Sequence, residues 1–437
     1  CGSTITLGAS GDTITLACGA SQTGFGRTGT VDWQTGSIKT ANFTAVNGEG
    51  YFCDTSGGAF TATLPASPSA GDIVAFSDYT RTFNTNGLLI GRNSEPIGGI
   101  SGDATLNTEG QTATFVYVDS TEGWINIQET SNSVTGSANL VATGGTITTS
   151  GDYKIHTFTG PGTFAVNQIS CTPANNEVSY VVVAGGGGGG GGDGGGGGAG
   201  GFRESKGPAD CYTSSPLEGG TAVIVTAQSY PITVGAGGAG APSNTTNASN
   251  GANSVFSTIT STGGGRGGSE PPSAPETAGN PGGSGGGSGN GGNRVESGGS
   301  GNTPSVSPPQ GNNGGNSVDA GPSQPNRAGG GGGGASGNGN TPNGSGSAGS
   351  GGNGVNTSIV GSSNGYAGGG GGGGRGSGGS GGTGGGGSGS NPGCGAGVPG
   401  GNGNVNTGSG GGGFGEAAPA TGGTGGSGIV IIRYKYQ

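Results

Sequence analysis

The stretch "VVVAGGGGGGGGDGGGGGAGG", which begins at Val181, limits the fold of this chain more than any other feature. A run of valines suited to a strand passes straight into glycine. Glycine loses more conformational freedom on folding than any other residue. Such a run either never folds or is held by something other than a hydrophobic core. Of the 120 glycines in 437 residues, 26 precede Ala184 and 94 follow it. The chain is therefore two materials joined near residue 184. The first has enough side chains for a conventional core, and the second does not.

Three architectures compete for the glycine. A flexible linker fits the composition, but the chain ends in "GGSGIVIIRYKYQ". An apolar strand on a floppy tail would aggregate. Its expected partners are the strands near Val181, Ile232 and Phe256, which makes everything between them one domain. Collagen needs glycine at every third position with abundant proline, whereas here glycine is unbroken and proline numbers only 22. Packed polyproline II-type glycine helices remain. Each has three residues per turn and no internal hydrogen bonds. Without side chains, neighbours approach closely and bond through their backbones. The runs from Ala328 and Ala367 suit this role. The intervening segments, such as "FRESKGPADCYTSSPLEGG", "SEPPSAPETAGNPGG" and "VNTSIVGSSNGYAGG", become turns at the two bundle ends.

The rest reads as strands. "TITL" occurs at Thr4–Leu7 and again at Thr13–Leu16, alternating Thr with Ile or Leu. This is the period-two pattern of strands that cannot bury their apolar face alone. It predicts a stem shared by several chains. From residue 40 to 130, "GGAFTATLPA", "GDIVAFSD", "GLLIGRN", "TATFVYVD" and "GWINIQ" are short strands between turn residues, which predicts a sandwich or small barrel. The expected fold class is all-β: a β-repeat stem over 1–37, a β-sandwich-like domain over 38–135, and a β-framed glycine-rich domain over 136–437. Its polyglycine II-type helices run from about 184 to 428.

Composition excludes several functions. Net charge is -10 with 13 Lys and Arg, too few for a phosphate-neutralising stripe, so nucleic acid is not an expected partner. No apolar run is long enough to span a bilayer, so membrane insertion is not expected. The cysteines (Cys1, Cys18, Cys53, Cys171, Cys211 and Cys394) are too scattered for a zinc site and read mostly as free thiols in small buried slots, with one or two bridges left open. The single histidine, His156, reads as a structural or surface strand residue. Asp119 and Glu122 read as turn formers. Trp33 and Trp124 read as packing residues. Asp193, in the middle of glycine, lacks the Lys-Ser/Thr of a phosphate loop. No catalytic residue, metal site or cofactor is expected, and the chain is read as a non-enzyme.

The pieces "GTFAVNQ…VSYVVVAGGGGGGGG", "YPITVGAGG", "NSVFSTITSTGGGRGG" and "GGTGGSGIVIIRYKY" resemble the distal part of a tailed-bacteriophage tail fibre with a glycine-rich adhesin-like end. They cover about residues 140 to 437. The segment from Val31 to Tyr79 is similar to β domains of marine phage fibres. The resemblance implies a homotrimeric shaft, attached to other virion tail proteins on its N-terminal side, and a polyglycine II tip whose loops touch the host. It also implies display outside the cell on the virion. The loops here are long, proline-containing and poor in aromatics, so receptor chemistry does not carry over. The expected partner is a bacterial surface polysaccharide or an outer-membrane protein. Phe202, Arg203, Tyr212, Tyr366 and Phe414 are the candidate contacts, because aromatics offer flat area at low entropic cost. Rival readings are a purely structural fibre protein, a cellular adhesin or lipoprotein anchored through Cys1, and a depolymerase with a long β-helix.

Overall fold

The computed structural model describes residues 31–128, 139–244, 246–269, 278–290, 295–318, 326–390, 397–415 and 420–437. The predicted stem strands, with Cys1 and Cys18, and the loop cysteine Cys394 lie outside them. The chain divides into two compact units, Cys1–Ala138 and Asn139–Gln437. The described residues are all-β, with one short 3-10 turn at Pro173–Asn176.

The first unit carries β1 (Asp32–Trp33), β2 (Phe43–Thr44), β3 (Glu49–Cys53), β4 (Thr61–Thr63), β5 (Ile73–Asp78), β6 (Leu88–Gly91), β7 (Ala104–Leu106), β8 (Thr112–Asp119) and β9 (Gly123–Gln128). Two sheets form, in the orders β1-β3-β5-β8-β9 and β2-β4-β6-β7. One apolar cluster draws on both, including Tyr51, Phe76 and Phe115 from the first and Leu88, Ile90 and Leu106 from the second. The layering is that of a sandwich, but the connections are not. From β1 to β6 the chain steps from one sheet to the other at every strand, and β1, β3 and β5 pair in parallel, as do β2, β4 and β6. This is a short parallel coil. The antiparallel strands β7, β8 and β9 close it.

The second unit adds β10 (Val141–Thr143), β11 (Thr146–Ser150), β12 (Tyr153–Phe158), β13 (Gly162–Gln168), β14 (Glu177–Val183), β15 (Phe202–Ser205), β16 (Val223–Ile224), β17 (Ser229–Thr233), β18 (Ser254–Phe256), β19 (Ile259–Ser261), β20 (Val355–Thr357), β21 (Asn364–Tyr366) and β22 (Ile429–Lys435). The C-terminal β22 lies between β12 and β14, with Ile431 opposite both Thr157 and Val181. The chain thus returns to its first glycine run. Ile232 and Phe256 belong to the second sheet, β10-β13-β17-β18-β19, and meet β22 through side chains in a shared core. Both faces of the β14–β22 pair are covered. Tyr180, Val182, Val430 and Ile432 face that core, while Val181, Val183, Ile429 and Ile431 face a second cluster toward the glycine runs. Coverage on both faces explains two unbroken apolar stretches where a one-sided strand would alternate.

His156 is buried between the sheets. Its Nδ1 lies 2.7 Å from the Gly144 carbonyl and its ring stacks on Tyr434 at 5.5 Å. Burial lowers its pKa. The reading of Asp119 as a turn former matches its bonds, since its carboxylate accepts the N–H groups of Thr121 and Glu122 at 2.8 Å. Of the described cysteines, Cys53 is a buried free thiol, whereas Cys171 and Cys211 are exposed. These two correct the expectation of buried slots, because both sit in loops rather than in the packed sheets.

Between the sheets and the opposite end, the glycine runs bond to one another with a period of three. Gly185 and Gly188 donate to Ala252 and Ser249, Gly186 and Gly189 to Gly426 and Gly423, and Gly187 and Gly190 to Gly198 and Gly195. Each step of three along the run moves three back along its partner, so all three partners are antiparallel. The carbonyls of the same run accept from three parallel neighbours: Gly238 and Ala241, Gly264 and Gly267, and Gly411 and Phe414. One strand-like turn of three residues therefore addresses six neighbours, the arrangement of a polyproline II-type helix in a hexagonal lattice. The run at Gly195–Gly200 is likewise surrounded by other runs. Close approach sets the residue type. A Cβ on Gly186 would sit 2.1 Å from the Ser409 carbonyl oxygen, and one on Gly189 would sit 2.0 Å from that of Gly412. Alanine enters where a neighbour is a side chain, as at Ala199, Ala335 and Ala367 against the sheet-facing cluster.

Runs on the outside of the bundle lack a neighbour on their solvent side. Exposed asparagines fill part of that gap. Asn250 and Asn253 accept the N–H groups of Arg266 and Gly263 at 2.8 and 2.9 Å. Asn316 and Asn313 do the same for Gly298 and Gly301. The spacing of three puts both side chains of a pair on one edge of the helix.

Candidate functional site

The hydrogen-bond ladders fix the end at which each turn lies. Runs leave the sheets after β14, β17 and β19, and return into β15, β18 and β22. The turns between outgoing and returning runs, at Gly192–Asp193 and near Ser243–Thr246, therefore lie at the end away from the sheets. Runs without flanking strands are placed by their partners. Gly268 donates to Gly287 and Asn290 donates to Asp193, which brings the ends at Ser269 and Asn290 alongside that turn. The side-chain amide of Asn290 donates to the Val318 carbonyl at 3.0 Å. Gly373 donates to Gly194, Gly329 to Gly373, and Ser390 to Gly413, adding the ends near Ala328, Gly374, Ser390 and Phe414. The far end is thus a gathering of run termini from the whole length of the domain.

A buried ion pair ties this end together. Asp193 sits at φ +52° beside Gly192 at φ +62°, a left-handed turn made between two glycine runs. Its side chain is fully buried, and Arg375 Nε donates to its Oδ2 at 2.8 Å. The Arg375 backbone N–H reaches the Arg327 carbonyl at 3.2 Å. The carboxylate joins two termini, and the Arg375 backbone ties in a third. The sequence marks both partners as lone charges inside glycine, "GGGGDGGGG" and "GGGGRGSGG", but gives no sign that residues 182 apart would meet. Beside this pair, Phe414 is fully buried among Ala241, Ala248 and Ala420 and fills the interior of the far end.

The five candidate contacts are all interior side chains. Phe202, Tyr212 and Tyr366 belong to the apolar cluster between sheet and bundle. Arg203 is 8% exposed on β15. The segment "FRES" was expected as a turn and is instead an edge strand, with Val183 opposite Phe202 and Val182 opposite Arg203. Phe414 is at the far end but beneath its surface. A receptor touches exposed atoms, so these side chains are corrected to packing residues. Where the sheets meet glycine, these rings fill the gap together with aliphatic side chains such as Val355, Ile359 and Ile431.

The sheet end carries a second polar network, also structural in geometry. Glu204 is fully buried, and its carboxylate accepts the Thr357 hydroxyl at 2.6 Å and the Ser215 N–H at 2.9 Å. Arg433 Nε donates to Asp210 at 3.0 Å, with its guanidinium 4.3 Å from the Tyr153 ring centroid and 5.6 Å from that of Tyr212. Burial, reinforced by Glu204, drives the Tyr212 hydroxyl pKa far up, and burial raises that of Tyr366 to about 12. Both stay protonated and are poor bases. Among the described residues no group of His, Cys, Asp and Glu is arranged to hold a metal ion. No described helix is long and apolar enough to cross a membrane.

A family model described as a glycine-rich domain matches residues 158–435, from the end of β12 to the end of β22. The match therefore contains the whole bundle together with most of the two sheets that anchor it. No curated protein matches the sequence.

Proposed function

The chain belongs to the glycine-rich domain family, and from that premise we propose that it is the structural and adhesive distal part of a bacteriophage tail fibre, with the far end of the bundle facing a bacterial cell-surface receptor. The observation that carries this reading is the separation of the two ends. A lattice of backbone hydrogen bonds holds the middle, two sheets hold one end, and run termini gather at the other. Loops on a rigid scaffold are where recognition usually sits. The interior of the glycine lattice admits little beyond Gly, Ala and Ser, as at Ala199, Ser284 and Ser409, so larger side chains are concentrated at its ends. The receptor is a surface polysaccharide or an outer-membrane protein. The fibre works as a homotrimer on the virion, with other tail proteins on the N-terminal side.

The test is direct. Labelled full chain is measured for saturable binding to a panel of bacteria, in competition with phage adsorption. Binding that blocks adsorption, and that is abolished by exchanging the Ser243–Thr246 turn and its neighbours at the far end, is the expected result. A well-folded chain that binds none of the hosts its phage infects would leave a purely structural fibre protein as the better reading.

A further inference from the structure

We propose that the asparagines on the outer runs end the lattice: they stop a second copy of the chain from adding its own glycine runs to the side of this bundle. In the interior, the N–H groups of a run go to the carbonyls of neighbouring runs. On the outer runs one N–H in three faces outward, at intervals of about 9 Å along the run, as at Gly263 and Arg266 and at Gly298 and Gly301. Left open, such a row of donors is a template for one more glycine run, as the open edge of a sheet is for one more strand. Every copy of the chain carries glycine runs of the matching period, so the partner to be kept off is a second copy.

The asparagines close these rows. Asn250 and Asn253 take the N–H groups of Arg266 and Gly263, and Asn313 and Asn316 take those of Gly301 and Gly298. The same cap recurs on other outer runs. Asn338 accepts the N–H of Asn313 at 3.1 Å, Asn353 that of Thr383 at 3.3 Å, and Asn402 that of Thr424 at 2.9 Å. In each case a carboxamide oxygen takes the place of the peptide oxygen that a further run would supply. All of these asparagines are exposed. Their inward-facing chain neighbours are glycine: a Cβ on Gly251 or Gly314 would lie 2.0 Å from the carbonyl oxygen of Gly185 or Gly286. A packing with no room for one Cβ cannot close over a layer of asparagine side chains. The asparagines therefore act twice. They satisfy the outward donors, and they hold a second lattice beyond bonding distance.

The experiment compares the parent full chain with two quadruple variants, Asn250→Gly/Asn253→Gly/Asn313→Gly/Asn316→Gly and the same four positions changed to alanine. Both lose the caps, but alanine keeps a Cβ that holds a second lattice off. Sedimentation over a concentration series reads the mass of the assembly, and hydrogen exchange reads the amides of Gly263, Arg266, Gly298 and Gly301. The glycine variant should grow beyond the parent assembly as concentration rises, roughly doubling in mass where one face pairs with its copy. Its four amides should exchange fast when dilute and become protected when concentrated. The alanine variant should keep the parent's mass, with the same amides fast at every concentration. A folded glycine variant that keeps the parent's mass overturns the proposal. So does growth without protection of those amides, or equal growth of both variants, because lost stability rather than an open lattice edge would then be the cause. Should the quadruple glycine variant fail to fold, Asn313→Gly/Asn316→Gly against its alanine counterpart gives the same comparison.

Discussion

Replacing Gly189 by alanine gives the sharpest test of the lattice. At an ordinary site this substitution stabilises a protein by about 0.4–1 kcal/mol, because alanine loses less freedom on folding. Here the added Cβ would meet the Gly412 carbonyl oxygen at 2.0 Å and its carbon at 2.3 Å. Both are backbone atoms, so no side chain can swing away. Restoring an ordinary contact moves the 408–414 run outward by roughly 1.4 Å, taking about 3.4 Å as a normal carbon–oxygen separation. The two hydrogen bonds that join this run to the first, Gly411 to Gly187 at 3.0 Å and Phe414 to Gly190 at 3.1 Å, would then be broken. Two donors and two acceptors would be left in a dry interior. At about 1–3 kcal/mol for each unsatisfied group, partly relieved by relaxation, the loss is roughly 3–6 kcal/mol. That is a large share of the roughly 5–15 kcal/mol that holds a typical domain. The unfolding midpoint, followed by calorimetry, should fall by about 10 °C or more. Gly160→Ala is the matched control: nothing lies within 4 Å of its Cβ, and its φ is not left-handed. It should be neutral or slightly stabilising. A Gly189→Ala variant within a degree or two of the parent would refute the close-packed lattice.

Other expectations follow from the same geometry. Asn250→Ala removes the acceptor for the Arg266 N–H but leaves that group open to water, so stability should change by less than about 1 kcal/mol. Hydrogen exchange at the Arg266 amide should nevertheless accelerate, and unchanged exchange would argue against the asparagine edge. Asp210→Asn leaves Arg433 buried beside two aromatic rings without its carboxylate, and should cost about 3–5 kcal/mol in chemical unfolding. His156 has its pKa lowered in the folded chain, chiefly by burial. Below about pH 6.5 the unfolded chain takes up a proton that the folded chain resists, so stability should fall as pH drops through that value and level off above it. His156→Gln should flatten that part of the profile, and an identical pH dependence in the variant would show that other groups control it.

What was legible in the sequence follows the range of the interaction. Unbroken glycine announces close backbone approach, because no other residue makes such a run useful. The apolar C-terminal strand announces a return to the start of the bundle, and β22 does lie beside Val181. The exact partners were harder to read. Ile232 and Phe256 share a core with β22 rather than a ladder, since side-chain contact and strand pairing leave the same apolar signature. In the first unit, strand existence was readable but connectivity was not. A parallel coil and an antiparallel sandwich both require short alternating strands with turns between them. Parallel pairings such as Gly50 with Ala75 and Ala62 with Ile90 distinguish them. The candidate contacts failed for a related reason. Aromatics set among glycine look like isolated surface features, yet Phe202, Tyr212 and Tyr366 cluster where the lattice is joined to a sheet, and Phe414 fills the interior of the far end. The Asp193–Arg375 pair was invisible because each charge stands alone in its own neighbourhood.

The lattice also explains how one scaffold could carry many different turns at its far end. In a conventional core, a loop change is felt through the side chains that pack beneath it. Here the layer beneath the loops is backbone, and its bonds do not depend on which residues form the turns. Gly190 bonds to Gly195 and Phe414 irrespective of the identity of the residues beyond Asn290 or Ser390. Among the described residues, the largest side-chain couplings at the far end are Asp193 with Arg375 and Phe414 among its alanines. Exchange of a turn that avoids those points should therefore leave the unfolding midpoint nearly unchanged, whereas Arg375→Ala should lower it by removing a charged partner of the buried Asp193 carboxylate. Equal destabilisation by turn exchange and by Arg375→Ala would mean that the turns are part of the fold rather than freely variable additions to it.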